Sequence, residues 1–199
     1  MLYLSAASRP DGVQRDKNDI RASGTLPLSA AGIAQLRQAD FAPEVVYVTP
    51  LQRTAQTARV FFPRAKLIPV DGLKEMNFGR FEGQPFVQVE QDPEYLAWVQ
   101  ENEHAAHPDG ERRSDFCNRV CKTLTDLIDK ALAEGQERLV IVAHGGTQMA
   151  ALERFGVPRR SFHDWCGPNA GGYVLDARDW PEQHILHLVE TVQYTKENG

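Results

Sequence analysis

The sequence predicts an α/β fold in three layers, with a mainly parallel sheet covered by helices on both faces. Three observations carry this prediction. Short apolar runs alternate with amphipathic helical patterns along the chain. One run, residues 139–143 (L-V-I-V-A), is apolar at every position, which is typical of a strand buried on both faces of a parallel sheet. No linker, internal repeat or low-complexity tract breaks the pattern, so residues 1–199 are expected to form a single domain.

Strands are predicted where β-branched, aromatic and other apolar residues cluster between turn residues. In chain order, these strands are residues 2–4, 45–48, 66–70, 139–143, 171–176 and 184–192. The strand at 139–143 ends at His144, and the two glycines that follow would let a ligand approach the backbone closely.

Helices are predicted where apolar residues recur at helical spacing behind a capping residue. In chain order, they are residues 28–39, a helix starting at 49, and residues 93–101, 114–133 and 147–155. The second helix has the clearest start, with Thr49 as the cap, Pro50 at the first helical position and Gln52 completing a capping box. The fourth carries the clearest apolar stripe.

Composition and charge exclude several classes of protein. The chain of 199 residues is 42% hydrophobic and 25% charged, which is ordinary for a globular protein. Its 22 basic and 27 acidic side chains give a net charge of −5, so no nucleic-acid partner is expected. The longest apolar run is far shorter than the ~20 residues that span a bilayer, so no membrane partner is expected either.

The start of the chain and its cysteines predict a cytoplasmic location. Residues 1–10 have no basic region and only a short apolar run, unlike a signal peptide. Cys117, Cys121 and Cys166 are odd in number and lack the spacing of a disulfide framework, which is typical of a reducing compartment. The sequence leaves the oligomeric state open.

Two side chains are predicted to meet at the carboxyl edge of the sheet, where ligands of open α/β folds bind. Arg53 lies in the first turn of the helix that begins after residue 48, and His144 follows the strand 139–143. A cation and a histidine near two helix N-termini suit an anion, because free backbone N–H groups and the helix dipole favour negative charge.

Three motifs resemble those of the histidine phosphatase superfamily, in its phosphoglycerate mutase-like branch. Residues 49–58 read T-P-L-Q-R-T-A-Q-T-A, close to the family's S-P-L-x-R-A-x-Q-T-A. Residues 73–83 match L-x-E-x-x-x-G-x-x-E-G, and residues 142–146 match V-x-H-G-G. The resemblance extends over residues 2 to about 190 in the family's order. It implies the phosphoglycerate mutase-like fold, and the loop 167–172 is similar to that of bacterial alpha-ribazole phosphatase-like members.

The resemblance implies a phosphatase mechanism without a metal or other cofactor. In the family, an R-H-G at the end of the first strand supplies a histidine that takes the phosphoryl group, and water then releases it. Arginines and a second histidine stabilise the phosphoryl oxygens, and a glutamate protonates the leaving group. By motif, Arg53 corresponds to the phosphate clamp, His144 to the second histidine and Glu75 to the general acid.

The R-H-G motif is absent from this chain. Aligned on the first strand, Ala6 replaces the first arginine and Ala7 replaces the nucleophile. Alanine has no lone pair with which to attack phosphorus. Losing the arginine also removes charge-assisted hydrogen bonds worth about 1.5–3 kcal/mol each. Arg9 is nearby in sequence and is a candidate to restore part of the phosphate-binding charge, or simply a solvated loop residue.

Other side chains could act as substitutes, but none has an identified activating partner. Ser5 and Ser8 carry hydroxyls. His104 and His107 lie in a region that approaches the pocket in some family members. The pair His104 and His107 and the pair His184 and His187 both have metal-like spacing. The second pair lies in a predicted strand, where residues three apart face opposite sides, so it is not expected to bind a metal.

Three hypotheses for the function therefore remain. The first is a pseudoenzyme that binds phosphate or a small phosphorylated or anionic ligand through Arg53, His144 and Arg9. The second is an active phosphomonoesterase that uses a substitute nucleophile or water, in which Glu75 and His144 are catalytic. The third is a scaffold for a protein partner, with an inherited pocket.

Overall fold

A computed structural model of the chain describes residues 1–7, 19–20, 27–82, 84–100 and 109–196. The described residues form nine strands: β1 (Leu2–Ala6), β2 (Asp19–Ile20), β3 (Val45–Val48), β4 (Lys66–Pro69), β5 (Gln84–Pro85), β6 (Leu139–Ala143), β7 (Gly156–Val157), β8 (Gly171–Asp176) and β9 (Leu186–Gln193). Their helices are α1 (Ala30–Ala34), α2 (Gln52–Phe61), α3 (Phe86–Val89), α4 (Pro93–Gln100), α5 (Arg113–Ala133), α6 (Gly145–Phe155) and α7 (Trp180–Gln183). Short 3₁₀ turns lie at Asp71–Leu73, Gly79–Phe81 and Phe162–Trp165.

Seven strands form one sheet in the order β4-β3-β6-β1-β8-β9-β7. The pairs β4–β3, β3–β6, β6–β1 and β9–β7 are parallel, whereas β8 is antiparallel to both of its neighbours. The predicted α/β fold with a mainly parallel sheet is therefore confirmed. Strands β2 and β5 form a separate antiparallel pair.

Helices cover both faces of the sheet. The apolar side chains of the central strand β6 alternate between two core clusters, one on each face. Leu139, Ile141 and Ala143 of β6 pack in the cluster that contains the apolar stripes of α5 and α6. Val140 and Val142 pack in the cluster that contains the buried face of α2. Every residue of β6 is buried, as expected for a strand covered on both sides.

The first helix is shorter than its sequence pattern predicts. A helix over residues 28–39 was expected, but α1 ends at Ala34, although Ser29 does cap its start by accepting a hydrogen bond from the Gly32 amide. The backbone beyond α1 pairs instead with the chain that follows β9, through the bridge between Leu36 and Thr195. The backbone hydrogen bonds that would extend the helix are thus used in a tertiary contact.

The second helix begins two residues later than predicted. Leu51 is the residue before α2, and its side chain makes no capping hydrogen bond. The hydroxyl of Thr49, the predicted cap, is turned towards the carboxyl end of β6. Within the described residues, no helix is both long and apolar enough to cross a membrane.

Candidate active site

His144 is placed at the carboxyl edge of the sheet by two elements. It directly follows β6 and is the residue before the first turn of α6. Its side chain is only 3% exposed. Both ring nitrogens have partners: Nδ1 lies 3.1 Å from Nη2 of Arg53, and Nε2 lies 2.9 Å from the hydroxyl of Thr49.

These partners fix the protonation state of the His144 ring. A guanidinium can only donate, so Nδ1 of His144 accepts from Arg53 and carries no proton. The proton of the neutral ring is then on Nε2, which donates to Thr49. Burial lowers the pKa of His144 well below its ordinary value, and the positive charges of Arg53 and Arg119 lower it further. The structure therefore holds His144 neutral, with both nitrogens engaged.

Two buried threonines continue this network towards α2. The hydroxyl of Thr49 accepts from His144 and lies 3.1 Å from the hydroxyl of Thr54. The Thr54 hydroxyl in turn lies 2.8 Å from the carbonyl of Leu51, to which it donates. Thr49 was predicted only as a helix cap; its contact with His144 joins residues 95 positions apart and has no local signature in the sequence.

Arg53 enters the site from the first turn of α2 and is only 6% exposed. Burial lowers the pKa of the Arg53 guanidinium, whereas the carboxyl groups of Glu75 and Glu82 act in the opposite direction. An arginine side chain nevertheless stays protonated in proteins. The site thus contains a buried permanent cation beside a neutral imidazole.

Glu75 approaches the same place from the segment between the first two 3₁₀ turns. Its Oε2 accepts a hydrogen bond of 3.1 Å from the amide of Gly146 in the first turn of α6, and its Oε1 accepts one of 3.0 Å from the amide of Met76. Burial raises the pKa of Glu75, and the two amides, followed by Arg53 and Arg119, partly offset this rise. Glu75 therefore binds a proton more readily than an exposed glutamate does.

Gly146 accommodates the close approach of the Glu75 carboxyl group. A Cβ at this position would collide with Oε1 of Glu75. At the neighbouring Gly145, a Cβ would meet nothing within 4 Å. The second glycine of the H-G-G motif therefore serves side-chain packing in the site, whereas the first has room for a larger residue.

The structure thus brings Arg53, Glu75 and His144 together from three separate segments. The same segments contain the sequence motifs that resemble those of the histidine phosphatases. The family profile of the histidine phosphatase superfamily (branch 1) matches residues 13–188. The chain belongs to the histidine phosphatase superfamily.

The chain is also similar to a curated relative and to solved structures. A candidate phosphoserine phosphatase of Hydrogenobacter thermophilus is 28% identical over 114 residues, which are 55% of this chain and 54% of the relative. The aligned region thus spans about half the length of that curated relative. The alpha-ribazole phosphatase of Shigella flexneri superposes with a TM-score of 0.75 at 22% identity, covering 100% of this chain and 98% of its own.

A further solved structure shares the fold of the chain. The phosphoglycerate mutase of Thermus thermophilus superposes with a TM-score of 0.64 at 24% identity, covering 96% of this chain and 97% of its own. At these identities, the solved structures establish the fold. The chain is therefore a histidine phosphatase-family protein with the phosphoglycerate mutase-like fold.

This family member has two alanines at the end of β1. Ala6 pairs with Ala143 in the parallel ladder between β1 and β6, and the amide of Ala7 donates to the carbonyl of Ala143 at 2.9 Å. The next residues along the chain are Ala7 after β1 and His144 after β6. Ala6 and Ala7 thus lie at the carboxyl edge of the sheet, alongside the end of β6.

Several predicted candidates lie outside this group of residues. Arg9, Ser8, His104 and His107 fall outside the described part of the chain. His187 is paired at 2.7 Å with Asp179, the residue before the start of α7. No group of three or more histidine, cysteine or acidic side chains suited to a metal occurs in the residues that the structure describes.

One buried polar side chain near the site was missed by the sequence analysis. Gln148 of α6 is fully buried, and its amide nitrogen donates to the carbonyls of Leu4 at 2.9 Å and Gly171 at 3.2 Å. It therefore ties α6 to the middle of β1 and the start of β8. A polar residue on the buried stripe of a predicted helix is the signal that could have identified it.

We expect the folding stability of the protein to fall in mild acid because of His144. The unfolded chain binds a proton at this residue below pH ~6.5, whereas the folded protein, with its lowered His144 pKa, does not. Unfolding therefore becomes easier by up to about 1.4 kcal/mol per pH unit below that value. Glu75, with its raised pKa, acts in the opposite direction as the pH falls, so the effect of His144 needs a matched variant.

The matched variant is His144→Gln, since glutamine offers one acceptor and one donor, as the neutral imidazole does. Urea unfolding of both proteins from pH 7.5 to 5 measures the difference. The wild type should lose more stability than the variant on acidification. An equal loss in both would contradict a buried neutral His144.

Proposed function

We propose that this protein binds a small phosphate monoester in the family's phosphate pocket and lacks the phosphohistidine route. The observation that carries this proposal is Ala7 itself: it follows β1 at the strand end where the family's nucleophile belongs, and its amide bonds to the carbonyl of Ala143, the residue before His144. Phosphoryl transfer through a covalent intermediate requires a side chain with an available lone pair, and alanine has none.

His144 does not take over the role of nucleophile in this arrangement. The lone pair on Nδ1 is used to accept from Arg53, and Nε2 carries the proton donated to Thr49. An attack on phosphorus would first require the ring to break one of these buried hydrogen bonds. His144 instead supports Arg53, whose guanidinium is the group suited to a phosphate.

The binding half of the proposal rests on Arg53 and on the two helix starts around it. A guanidinium forms charge-assisted hydrogen bonds with phosphate oxygens, and each is worth about 1.5–3 kcal/mol. The first turns of α2 and α6 both begin at this edge of the sheet, and their dipoles favour an anion. Without an arginine at position 6, the affinity should be lower than in a pocket with the complete R-H-G motif.

Isothermal titration tests this proposal. Inorganic phosphate and phenyl phosphate are titrated into the wild-type protein at low ionic strength, with sodium sulfate as a second anion. Saturable binding of both phosphates at micromolar to millimolar concentration is expected. Absence of binding at 10 mM, on the order of the weakest affinities relevant to a metabolite, would overturn the proposal.

A second candidate function is hydrolysis of the monoester by direct attack of water. The observation that favours it is Glu75, because a buried carboxyl with a raised pKa is the group needed to protonate a leaving oxygen. For this candidate, Glu75→Gln should lower turnover by about 10²-fold or more. Glu82→Gln is the matched control, since Glu82 is also within electrostatic reach of Arg53 but accepts from the amide of Phe78.

We place the proposed activity in the cytoplasm, in a single domain. The three cysteines are free: Cys121 is buried, Cys117 half-buried and Cys166 exposed. Burial raises the pKa of Cys121 to about 11, so its thiol is unreactive at neutral pH. Free thiols of this kind persist in a reducing compartment.

A further inference from the structure

The backbone that leads into Glu75 is held at three consecutive carbonyl groups. Nη1 of Arg119 donates to the carbonyls of Gly72 at 2.9 Å and Lys74 at 3.1 Å. The hydroxyl of Thr147 donates to the carbonyl between them, that of Leu73, at 3.1 Å. Loop carbonyls are usually satisfied by water, so this segment is unusually fixed by side chains from α5 and α6.

The other edge of the Arg119 guanidinium is bound by Glu111. Nε donates to Oε1 at 2.9 Å and Nη2 donates to Oε2 at 2.7 Å, which is the bidentate geometry of the strongest arginine–carboxylate pairs. The amide of Glu111 donates to the carbonyl of Asn77 at 2.8 Å. Glu111 thus binds the chain two residues after Glu75, while its partner Arg119 binds the chain just before it.

Packing around the same segment adds to this constraint. Gly72 lies against Thr123 of α5, one turn beyond Arg119, and a Cβ at Gly72 would collide with the Thr123 hydroxyl. The side chains of Arg119 and Glu111 are 29% and 19% exposed, so water competes only partly for their hydrogen bonds. The segment is therefore held on both sides of Glu75 at once.

We propose that Arg119 and Glu111 form a bracket that positions Glu75 and sets the charge it experiences. They are positioning residues, since the guanidinium of Arg119 is engaged by the carbonyls of Gly72 and Lys74 and by the carboxylate of Glu111. This inference rests on the proposed function, because it assigns a purpose to the placement of Glu75 in that site.

If Arg119 and Glu111 act on Glu75 through their charges, the pKa of Glu75 should respond to their removal in a way that a purely structural role does not predict. The groups facing Glu75 are Arg53 from α2, Arg119 from α5 and the first turn of α6 with His144. Arg119 lowers the pKa of Glu75 against the effect of burial, and the carboxylate of Glu111 offsets the charge of Arg119. Removing the cation and removing its counter-ion should therefore shift the pKa of Glu75 in opposite directions.

The test is a ¹³C NMR titration of side-chain carboxyl groups in glutamate-labelled protein, with the Glu75 signal assigned by its loss in Glu75→Gln. We expect Arg119→Met to raise the titration midpoint of Glu75 and Glu111→Gln to lower it. Arg119→Lys, which keeps the charge, should lie between the wild type and Arg119→Met. Lys122→Met is the control on α5, because Lys122 pairs with Asp126 on the exposed face and should leave the midpoint unchanged.

Shifts of the same sign in Arg119→Met and Glu111→Gln, or no shift in either, would overturn the bracket. If Arg119→Met does not fold, Glu111→Gln decides alone, and an unchanged or raised midpoint contradicts the inference. The titration uses the protein without ligand. If the protein does not bind phosphate, the proposed function is contradicted, but this titration still tests whether Arg119 and Glu111 act on Glu75.

Discussion

Replacement of Arg53 by methionine is expected to weaken phosphate binding by about ten- to a hundredfold. The reason is the loss of charge-assisted hydrogen bonds worth about 1.5–3 kcal/mol each from a side chain that is almost fully buried. Methionine keeps most of the volume of the arginine stem, so the packing of α2 should be retained. Isothermal titration with inorganic phosphate measures the change directly.

The matched control is Arg59→Met on the same helix. Arg59 is exposed in the last turn of α2, so the variant removes one positive charge at a position outside the site. It should alter phosphate affinity less than twofold, since exposed charges are strongly screened. Equal affinity in the Arg53 variant and the wild type, with both folded by circular dichroism, would rule out Arg53 as the phosphate clamp.

The largest change in stability is expected for replacement of Gly146 by alanine, whereas the same replacement at the adjacent Gly145 should be tolerated. In Gly146→Ala, the new methyl group collides with the carboxyl of Glu75 and must displace it from the amide at the start of α6. Overpacking and the loss of a hydrogen bond to a buried carboxyl together should cost about 1–3 kcal/mol of unfolding free energy. Phosphate binding should weaken as well, because the displaced carboxyl moves within the site.

Gly145→Ala should have the opposite effect. Its methyl group meets nothing within 4 Å, and alanine restricts the unfolded chain more than glycine does. A stability change between zero and a gain of about 1 kcal/mol is expected. Urea unfolding of the two variants against the wild type measures both effects, and similar losses in the two would contradict the contact between Gly146 and Glu75.

Much of this architecture could be predicted from local patterns. The fully apolar run of β6 predicted a central strand, and the amphipathic stripe of α5 predicted a long helix; both are confirmed. Parallel strands end at a common edge, which is why Arg53 and His144 could be expected to meet there, although α2 and β6 are far apart in sequence. The match to the family's motifs added Glu75.

The features that were missed depend on partners distant in sequence. The length of α1 is limited by pairing with residues near Thr195, which no local pattern shows. Thr49 has the sequence signature of a helix cap, but α2 begins later in the chain and the Thr49 hydroxyl accepts a hydrogen bond from the buried imidazole of His144. The bracket of Arg119 and Glu111 binds a loop about 45 residues earlier in the chain, and only the folded structure brings the two segments together.

The most direct test of the central claim is turnover of an aryl phosphate by the wild-type protein, with His144→Ala purified in parallel. The proposal that Ala7 stands in place of the nucleophile predicts that the two preparations release phosphate at the same background rate. Turnover in the wild type that His144→Ala removes would show that the pocket still carries out chemistry. That result would contradict a binding protein without catalysis, and Glu75→Gln would then show whether water attacks with Glu75 as the acid.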